Sequence, residues 1–218
     1  MKLLQAPNLA KGHEIVIRYI MNHCYKDETE CPIVYPGENK QDTIEAKELA
    51  LFIRTPFVEP RFIKPPTLPF SQKYMDQYAN DLIAGTSADF VYDYHDRLTH
   101  HFGINQITYI EQKLIGSPST RRAQAITWNP KLDTTREDVP CLQLIHCDVR
   151  EGRLNMKVVF RSEDMTLGLG PNMYGLTELQ KHISLAVGLP VGTYTHICFC
   201  PHLYLKRDED YIGNVMRL

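Results

Sequence analysis

The segment from Leu142 to Phe160 constrains the fold more than any other part of the 218-residue chain. Its sequence predicts a strand over Leu142–Val149, a tight turn at Glu151–Gly152, and a second strand. In the second strand every other residue is apolar, so these side chains share one face of a pleated strand. The alternating apolar residues are Leu154, Met156, Val158 and Phe160. The pattern predicts a β-hairpin with one buried face.

Helices are predicted mainly before this hairpin, and strands mainly in the second half of the chain. The predicted helices cover residues 41–54, 72–84, 104–115 and 172–187. Further strands are predicted at 123–128 and 193–200, and the proline-rich stretch 56–69 is predicted to be a loop. This order favours an α+β fold over a doubly wound sheet, with residues 1–218 in a single domain.

The charge balance excludes some classes of function. The formal net charge is −2, whereas a dedicated nucleic-acid binder usually has a strong basic excess. A small phosphorylated ligand needs only a few local arginines and stays possible. The sequence opens with no secretory signal and contains no run of 18 apolar residues, so we expect a cytoplasmic protein with reduced thiols and no membrane contact. The cysteine spacings fit no structural zinc pattern, so we expect no metal.

Cys141 follows a proline and begins a predicted strand, where a thiol can be accessible and reactive. By itself this position favours an ordinary buried thiol. Arg161 and Ser162 end the strand expected to pair with it, and a guanidinium with a hydroxyl suits a phosphate monoester. Arg121 and Arg122 are adjacent and point to opposite faces of an extended segment. Both can therefore serve one site only at a bend or across a subunit boundary.

Several other polar residues allow a structural or a functional interpretation. Asn172 lies at a predicted helix start, where it either caps the helix or presents its amide to a base edge. His202 and Tyr204 alternate in an extended segment, so they face the same way and could bind a sugar. Asp164 and Glu48 are acids near apolar residues, although carboxylates usually lie at the surface.

Taken together, these segments resemble the thymidylate synthase family. In chain order the matching segments are STRRAQAITWNP (119–130), VPCLQ (139–143), RSEDMTLG (161–168), GLPVG (188–192) and HLY (202–204). Weaker resemblances are VYDYHDRLTHHFGINQI (91–107) and ELALFI (48–53), the latter similar to a helix of the family. No single motif is decisive, but all of them occur in the family's order.

The resemblance implies a mixed β-sheet with helices on one face, a homodimer, and reductive methylation of dUMP at C5. The one-carbon carrier would be 5,10-methylene-tetrahydrofolate or a methanopterin-type analogue. The implied roles are Cys141 as nucleophile, Glu48 as proton relay, Asn172 for the base, Arg121, Arg122, Arg161 and Ser162 for the phosphate, His202 and Tyr204 for the sugar, and Asp164 for the pterin. We expect the apolar face of residues 154–160 to supply the dimer surface.

The sequence also departs from the family. Leu142 stands where a histidine usually follows the nucleophile, Asp93 stands in place of a glycine, and Trp128 is the only tryptophan. The nucleotide half of the site therefore looks preserved and the carrier half altered. Three alternatives stay open: a dCMP hydroxymethylase, which typically has aspartate at the Asn172 position; a non-catalytic nucleotide-binding relative; and a cysteine hydrolase. In the hydrolase Cys141 would pair with one of His95, His146, His196 and His202.

Overall fold

The computed structural model describes residues 1–24, 33–36, 42–86 and 93–218, so Tyr92 of the weak 91–107 match lies outside the described residues. The strands are β1 (Lys2–Ala6), β2 (Ile33–Pro36), β3 (Asp42–Glu45), β4 (Leu49–Ile53), β5 (Gln124–Ile126), β6 (Leu142–Arg150), β7 (Arg153–Asp164) and β8 (Val191–Tyr204). The helices are α1 (Leu9–Tyr19, continued by a π-helical turn Ile20–Cys24), α2 (Gln72–Ala84), α3 (Tyr94–Thr99), α4 (Gln106–Gly116), α5 (Pro130–Asp133), α6 (Leu169–Val187) and α7 (Glu209–Arg217).

One mixed sheet organises these elements. Its strand order is β1-β4-β8-β7-β6-β5, and β3 also pairs with β8 and carries β2. The β1–β4 and β7–β8 pairs are parallel, and the other pairs are antiparallel. Helix α6 packs on β7 and β8 and also contacts α1, α2 and α4, which makes the helices one layer over the sheet. The predicted α+β architecture with helices on one face is confirmed.

The predicted hairpin is present as β6 and β7. Its turn places Glu151 at φ 52° and Gly152 at φ 69°, in the left-handed region that a glycine adopts without strain. The side chains of Leu154, Met156, Val158 and Phe160 are fully buried in the chain's own core. This apolar face is therefore covered by the protein's own helices, and the prediction that it forms a dimer surface is wrong. The opposite face of β7, with Lys157 and Val159, is only half-buried.

The helix predicted over residues 41–54 is wrong, because these residues form β3 and β4. Leu49–Ile53 pairs with β1 on one side and β8 on the other, and four of its five residues are buried. A strand buried on both faces reads as a continuous apolar run, which a helical pattern also fits. The helices predicted at 72–84 and 104–115 are confirmed as α2 and α4.

Helix α6 begins at Leu169 rather than at residue 172. The backbone N–H of Asn172 donates to the carbonyl of Gly168 at 3.1 Å, so this residue lies inside the first turn. The interpretation of Asn172 as a helix cap is therefore wrong, and its side chain is available for another role.

In both β7 and β8 the alternation of side chains between the two faces of the sheet shifts by one residue, and the two shifts occur at the same level of the sheet. In β7 Phe160 is buried, Arg161 and Ser162 are half-buried, and Glu163 is buried again. In β8 Cys198 is buried and Phe199 exposed, and the next buried residue is Pro201. Because Phe160 pairs with Cys198 and Ser162 with Cys200, the two changes are adjacent. Glu163 thereby faces the helices, where strict alternation would place it on the opposite face.

The expectation of reduced thiols throughout is wrong at Cys24, which is disulfide-bonded. Cys141, Cys147, Cys198 and Cys200 are not.

Candidate active site

Most of the predicted site residues meet at one corner of the sheet, where β6 begins and β7 and β8 end. The backbone N–H of Arg161 donates to the carbonyl of Cys141 at 2.9 Å, which places the start of β6 beside the end of β7. Asp164 lies opposite His202 in the parallel pairing of β7 with β8. Because β6 is antiparallel to β7 and β7 is parallel to β8, three separate motifs converge here.

The loop that presents Cys141 is held by one arginine side chain. Arg161 donates from Nε to the carbonyl of Pro140 at 3.1 Å and from Nη2 to the carbonyl of Val139 at 2.8 Å. Cys141 itself is half-buried. Two side-chain bonds and one backbone bond from Arg161 therefore fix the backbone around the thiol, which a solvated surface arginine would not do.

Leu142, the residue after the thiol, is fully buried, and its N–H donates to the hydroxyl of Tyr94 at 3.1 Å. Its carbonyl accepts a hydrogen bond from the hydroxyl of Thr127. At this position the chain therefore contributes core packing and backbone hydrogen bonds to the site.

A buried ion pair anchors the segment that contains Thr127. Arg97 donates from Nη2 to Asp133 Oδ1 at 2.7 Å and from Nη1 to the carbonyl of Thr127 at 3.1 Å. Burial opposes ionisation of Asp133, but the hydrogen bonds from Arg97 and from the backbone N–H of Asn129, together with the charge of Arg97, lower the pKa of the carboxyl overall. The TWNP segment is thus a rigid support for the start of β6.

His202 and Tyr204 lie together at the end of β8, as their alternation predicts. Their rings meet edge to face with centroids 5.2 Å apart. The Nδ1 atom of His202 lies 3.1 Å from the carbonyl of Cys200, and the hydroxyl of Ser162 is 3.4 Å from that same nitrogen. The structure therefore brings Ser162, His202 and Tyr204 into one group beside the Cys141 loop.

Asp164 and Glu48 have other partners. Asp164 Oδ1 accepts from the backbone N–H groups of Thr166 at 2.9 Å and Leu167 at 3.2 Å, and Oδ2 contacts Arg207. Glu48 is not on a helix: it precedes β4, is half-exposed, and lies 2.9 Å from the N-terminal amine, which lowers its pKa. Both carboxylates thus have structural partners at the surface.

Arg121 and Arg122 are not brought to the Cys141 corner within one chain. Both are exposed in the loop before β5, and the next residue, Ala123, accepts a hydrogen bond from Cys147. Cys147 lies six residues along β6 from Cys141, which is roughly 20 Å at about 3.3 Å per residue. These two arginines can reach such a site only from a second subunit.

Glu163 is a buried residue that the sequence reasoning missed. Its side chain is 2% exposed. Oε1 accepts from Asn172 Nδ2 at 2.7 Å, and Oε2 lies 2.6 Å from His196 Nε2. The hydroxyl of Tyr78, on α2, donates to Asn172 Oδ1. The acidic residue before Asp164 in RSEDMTLG is visible in the sequence, but strict alternation along β7 would place it on the face opposite Phe160.

Comparison with known proteins decides the family. The thymidylate synthase family model matches residues 71–217, which is 147 of the 218 residues. The chain belongs to the thymidylate synthase family. A protein of Methanocaldococcus jannaschii named "Putative thymidylate synthase" is 41% identical over 181 residues, covering 77% of this chain and 82% of that protein. A protein of the same name from Methanosarcina acetivorans is 30% identical over 218 residues, covering 99% and 95%.

A solved structure supports the same fold. The thermostable thymidylate synthase A from Bacillus subtilis superimposes with a TM-score of 0.68 at 20% identity, over 96% of this chain and 84% of that chain. The thymidylate synthase match includes α2 and begins well after Glu48. The expectation that ELALFI forms a helix like that of the family is wrong, because this segment leads into and forms β4.

Two further observations concern the described residues of the chain. In the ranges 1–24, 33–36, 42–86 and 93–218, no helix is both long and apolar enough to cross a membrane. Among the same residues, no three histidine, cysteine or acidic side chains are grouped so that they could hold a metal ion.

Three of the four histidines considered for a cysteine hydrolase have other surroundings in the fold, whereas His202 lies beside the Cys141 loop. The ring of His196 lies against Glu163, and Nδ1 of His95 lies 3.3 Å from the carbonyl of Leu82. His146 is half-buried on β6, where burial and Lys157 lower its pKa. Membership of the thymidylate synthase family, rather than these contacts, argues against a cysteine hydrolase.

Proposed function

We propose that this protein is a thymidylate synthase that methylates C5 of dUMP to give dTMP. The observation that carries the proposal is the sheet corner at which Cys141, Arg161, Ser162 and His202 meet. A half-buried thiol on a fixed loop, beside a guanidinium and a hydroxyl, is suited to a nucleotide whose base is attacked while its phosphate is held.

Phosphate binding falls to Arg161 and Ser162 in this proposal. The guanidinium has five N–H groups, and its contacts with the carbonyls of Val139 and Pro140 use two of them. The remaining donors suit phosphate oxygens, and the same side chain then ties the phosphate to the Cys141 loop. His202 and Tyr204 are the candidates for the sugar.

The chemistry proposed for Cys141 is addition of its thiolate to C6 of the uracil ring. A sulfur–carbon bond forms, the ring double bond is lost, and negative charge moves onto the O4 carbonyl, which makes C5 nucleophilic. The Asn172 amide can donate a hydrogen bond towards that oxygen. Holding the base between these two residues supplies part of the rate acceleration.

A reduced pterin, tetrahydrofolate or a methanopterin-type analogue, would supply the methylene group and the hydride. The described residues fit it in part. Asp164 is 19% exposed, and Arg207, its partner at Oδ2, is also near the surface. A pterin N–H at Asp164 would therefore have to displace Arg207, and the backbone N–H groups of Thr166 and Leu167 already occupy Oδ1.

Tritium release from 5-tritiated dUMP tests the proposed activity. We expect release into water with one of the two methylene carriers and none without a carrier, because the C5 hydrogen leaves only after one-carbon transfer. Parallel incubations with each carrier and with unlabelled dCMP identify the reaction. If protein that binds dUMP releases no tritium with either carrier, the result would favour a non-catalytic relative. Formation of hydroxymethyl-dCMP would favour the hydroxymethylase. The argument against that enzyme is Asn172, because the hydroxymethylase typically has aspartate at this position.

We also propose a homodimer, formed through the face of the sheet opposite the helices. Side chains on this face are half-buried or exposed and include Lys157, Val159, Thr195, Ile197 and Phe199. Phe199 is 53% exposed. Pairing of this face with a second copy would cover these groups, and it is the arrangement in which Arg121 and Arg122 could reach a partner's Cys141 corner.

Sedimentation equilibrium at micromolar concentration checks the dimer. We expect a dimer for the wild type and at least about ten-fold weaker association for Phe199→Asp, because a charge would be buried in the interface. Leu185→Asp is the matched control, since Leu185 is 73% exposed and lies on α6, away from this face. A monomeric wild type would refute the interface and remove Arg121 and Arg122 from the site.

A further inference from the structure

A chain of five side chains runs through the protein from α2 to the middle of β8. It consists of Tyr78, Asn172, Glu163, His196 and Tyr194. His196 and Tyr194 are fully buried, and the His196 ring also stacks on Phe160 with centroids 4.6 Å apart. Nothing in the proposed mechanism so far uses Glu163, although it is the central member of this chain.

The hydrogen bonds of this chain have a definite direction. Burial raises the pKa of Tyr194 well above its ordinary value, so its phenol keeps its proton and can donate to Nδ1 of His196 at 3.0 Å. His196 then donates from Nε2 to Glu163 Oε2. The Asn172 atom that faces Glu163 Oε1 is the amide nitrogen, which donates to this oxygen at 2.7 Å. The oxygen of that amide accepts from Tyr78.

The orientation of the Asn172 amide determines which hydrogen-bond donor and acceptor it presents to a base. The amide has two hydrogens and two lone pairs, and the contacts with Glu163 and Tyr78 use one of each. One donor and one acceptor remain, in an order fixed by Glu163. Uracil presents an acceptor at O4 and a donor at N3, whereas cytosine presents a donor at N4 and an acceptor at N3. To bind cytosine the amide would have to turn over, which would set its oxygen against the Glu163 carboxylate.

We propose that Glu163 is the positioning residue that selects uracil over cytosine, by fixing the orientation of the Asn172 amide. This inference rests on the proposed function, because it takes Asn172 as the group that contacts the base. The hydroxyl of Tyr78 can donate or accept and so tolerates either orientation. Of Tyr78 and Glu163, the two partners of the Asn172 amide, only Glu163 restricts the amide to one orientation.

Binding of dUMP and dCMP to the full chain, measured by calorimetry without any carrier, tests the inference. We expect Glu163→Gln to lower the ratio of the dCMP Kd to the dUMP Kd by about ten-fold or more, because a glutamine amide can face either end of Asn172. Glu163→Asp retains the charge and should keep the wild-type preference even if both affinities fall. Glu111→Gln, a half-buried carboxylate on α4, is the matched control.

The outcomes separate this inference from the proposed function. If the wild type binds neither nucleotide, the proposed function fails. If it prefers dUMP and Glu163→Gln weakens both nucleotides equally, Glu163 is only structural and the inference is overturned. Tyr78→Phe provides a second test that leaves the carboxylate in place: we expect an unchanged ratio, and a ten-fold fall would assign the selection to Tyr78 instead.

Discussion

Replacing Cys141 with serine is expected to abolish turnover of dUMP while leaving its Kd within a few-fold of the wild type. In the proposed mechanism the thiolate forms the bond to C6, while Arg161 and Ser162 hold the phosphate. A serine hydroxyl is far less nucleophilic at neutral pH, so we expect a loss on the order of 10⁴-fold or more in kcat. Tritium release measures turnover, and calorimetry measures binding.

Cys200→Ser is the matched control for this prediction. Cys200 is half-buried like Cys141, is not disulfide-bonded, and lies at the same end of the sheet on β8. The Cys200→Ser protein should retain most of the wild-type activity. Burial raises the pKa of this thiol, a change that disfavours the thiolate needed for attack. If Cys200→Ser is folded and as inactive as Cys141→Ser, the assignment of the nucleophile is incorrect.

Replacing Asn172 with aspartate is expected to shift preference from dUMP towards dCMP. The new carboxyl would lie beside Glu163, where Asn172 Nδ2 now donates at 2.7 Å. Two carboxylates at this separation cannot both ionise, so the pair keeps a proton. With that proton held between the two carboxyls, the new side chain offers only acceptors to the base: it can accept from N4 of cytosine and leaves O4 of uracil without a donor.

The size of this shift follows from the hydrogen bonds exchanged. A matched buried hydrogen bond contributes about 1 kcal/mol, and an unpaired buried group costs about 1–3 kcal/mol. Two mismatched contacts should change the ratio of kcat/KM for the two nucleotides by roughly ten- to a thousand-fold. The measurement is kcat/KM for dUMP and dCMP in both proteins.

Inhibition by free phosphate serves as the internal control for the same substitution, since Arg161 and Ser162 are unchanged and the inhibition constant should stay constant. An unchanged nucleotide preference in a folded Asn172→Asp protein would mean that the base lies elsewhere, and the role given to Glu163 would fall with it.

Local sequence was enough for the elements whose periodicity is unambiguous. The hairpin of β6 and β7 was predictable, because one face is apolar at every second residue and the turn has a glycine. The same holds for α2, which ends at Gly85 with φ 88°, and for α4. The ordered motifs around Cys141, Arg161 and His202 also gave the family, although each motif is short.

Local sequence failed where the environment, rather than the pattern, decides the structure. Leu49–Ile53 reads as an apolar helical face, but it is a strand covered on both sides, with β1 and β8 as its neighbours. Glu48 consequently lies directly before a strand and pairs with the N-terminal amine. The same local pattern fits both structures, and the difference comes from hydrogen-bond partners far away in the chain.

By itself, then, the sequence determined the β6–β7 hairpin, the main helices of the central and C-terminal parts, and the family, and it suggested the residues proposed for the nucleophile and the phosphate site. Only the tertiary structure decided which carboxylate is buried beside Asn172. Strict alternation assigns Glu163 to the open face of β7, but the change of facing at Arg161 and Ser162 turns it towards α6, within reach of His196. Side-chain direction after such a change depends on how neighbouring strands bend together, and no pattern within one strand encodes it.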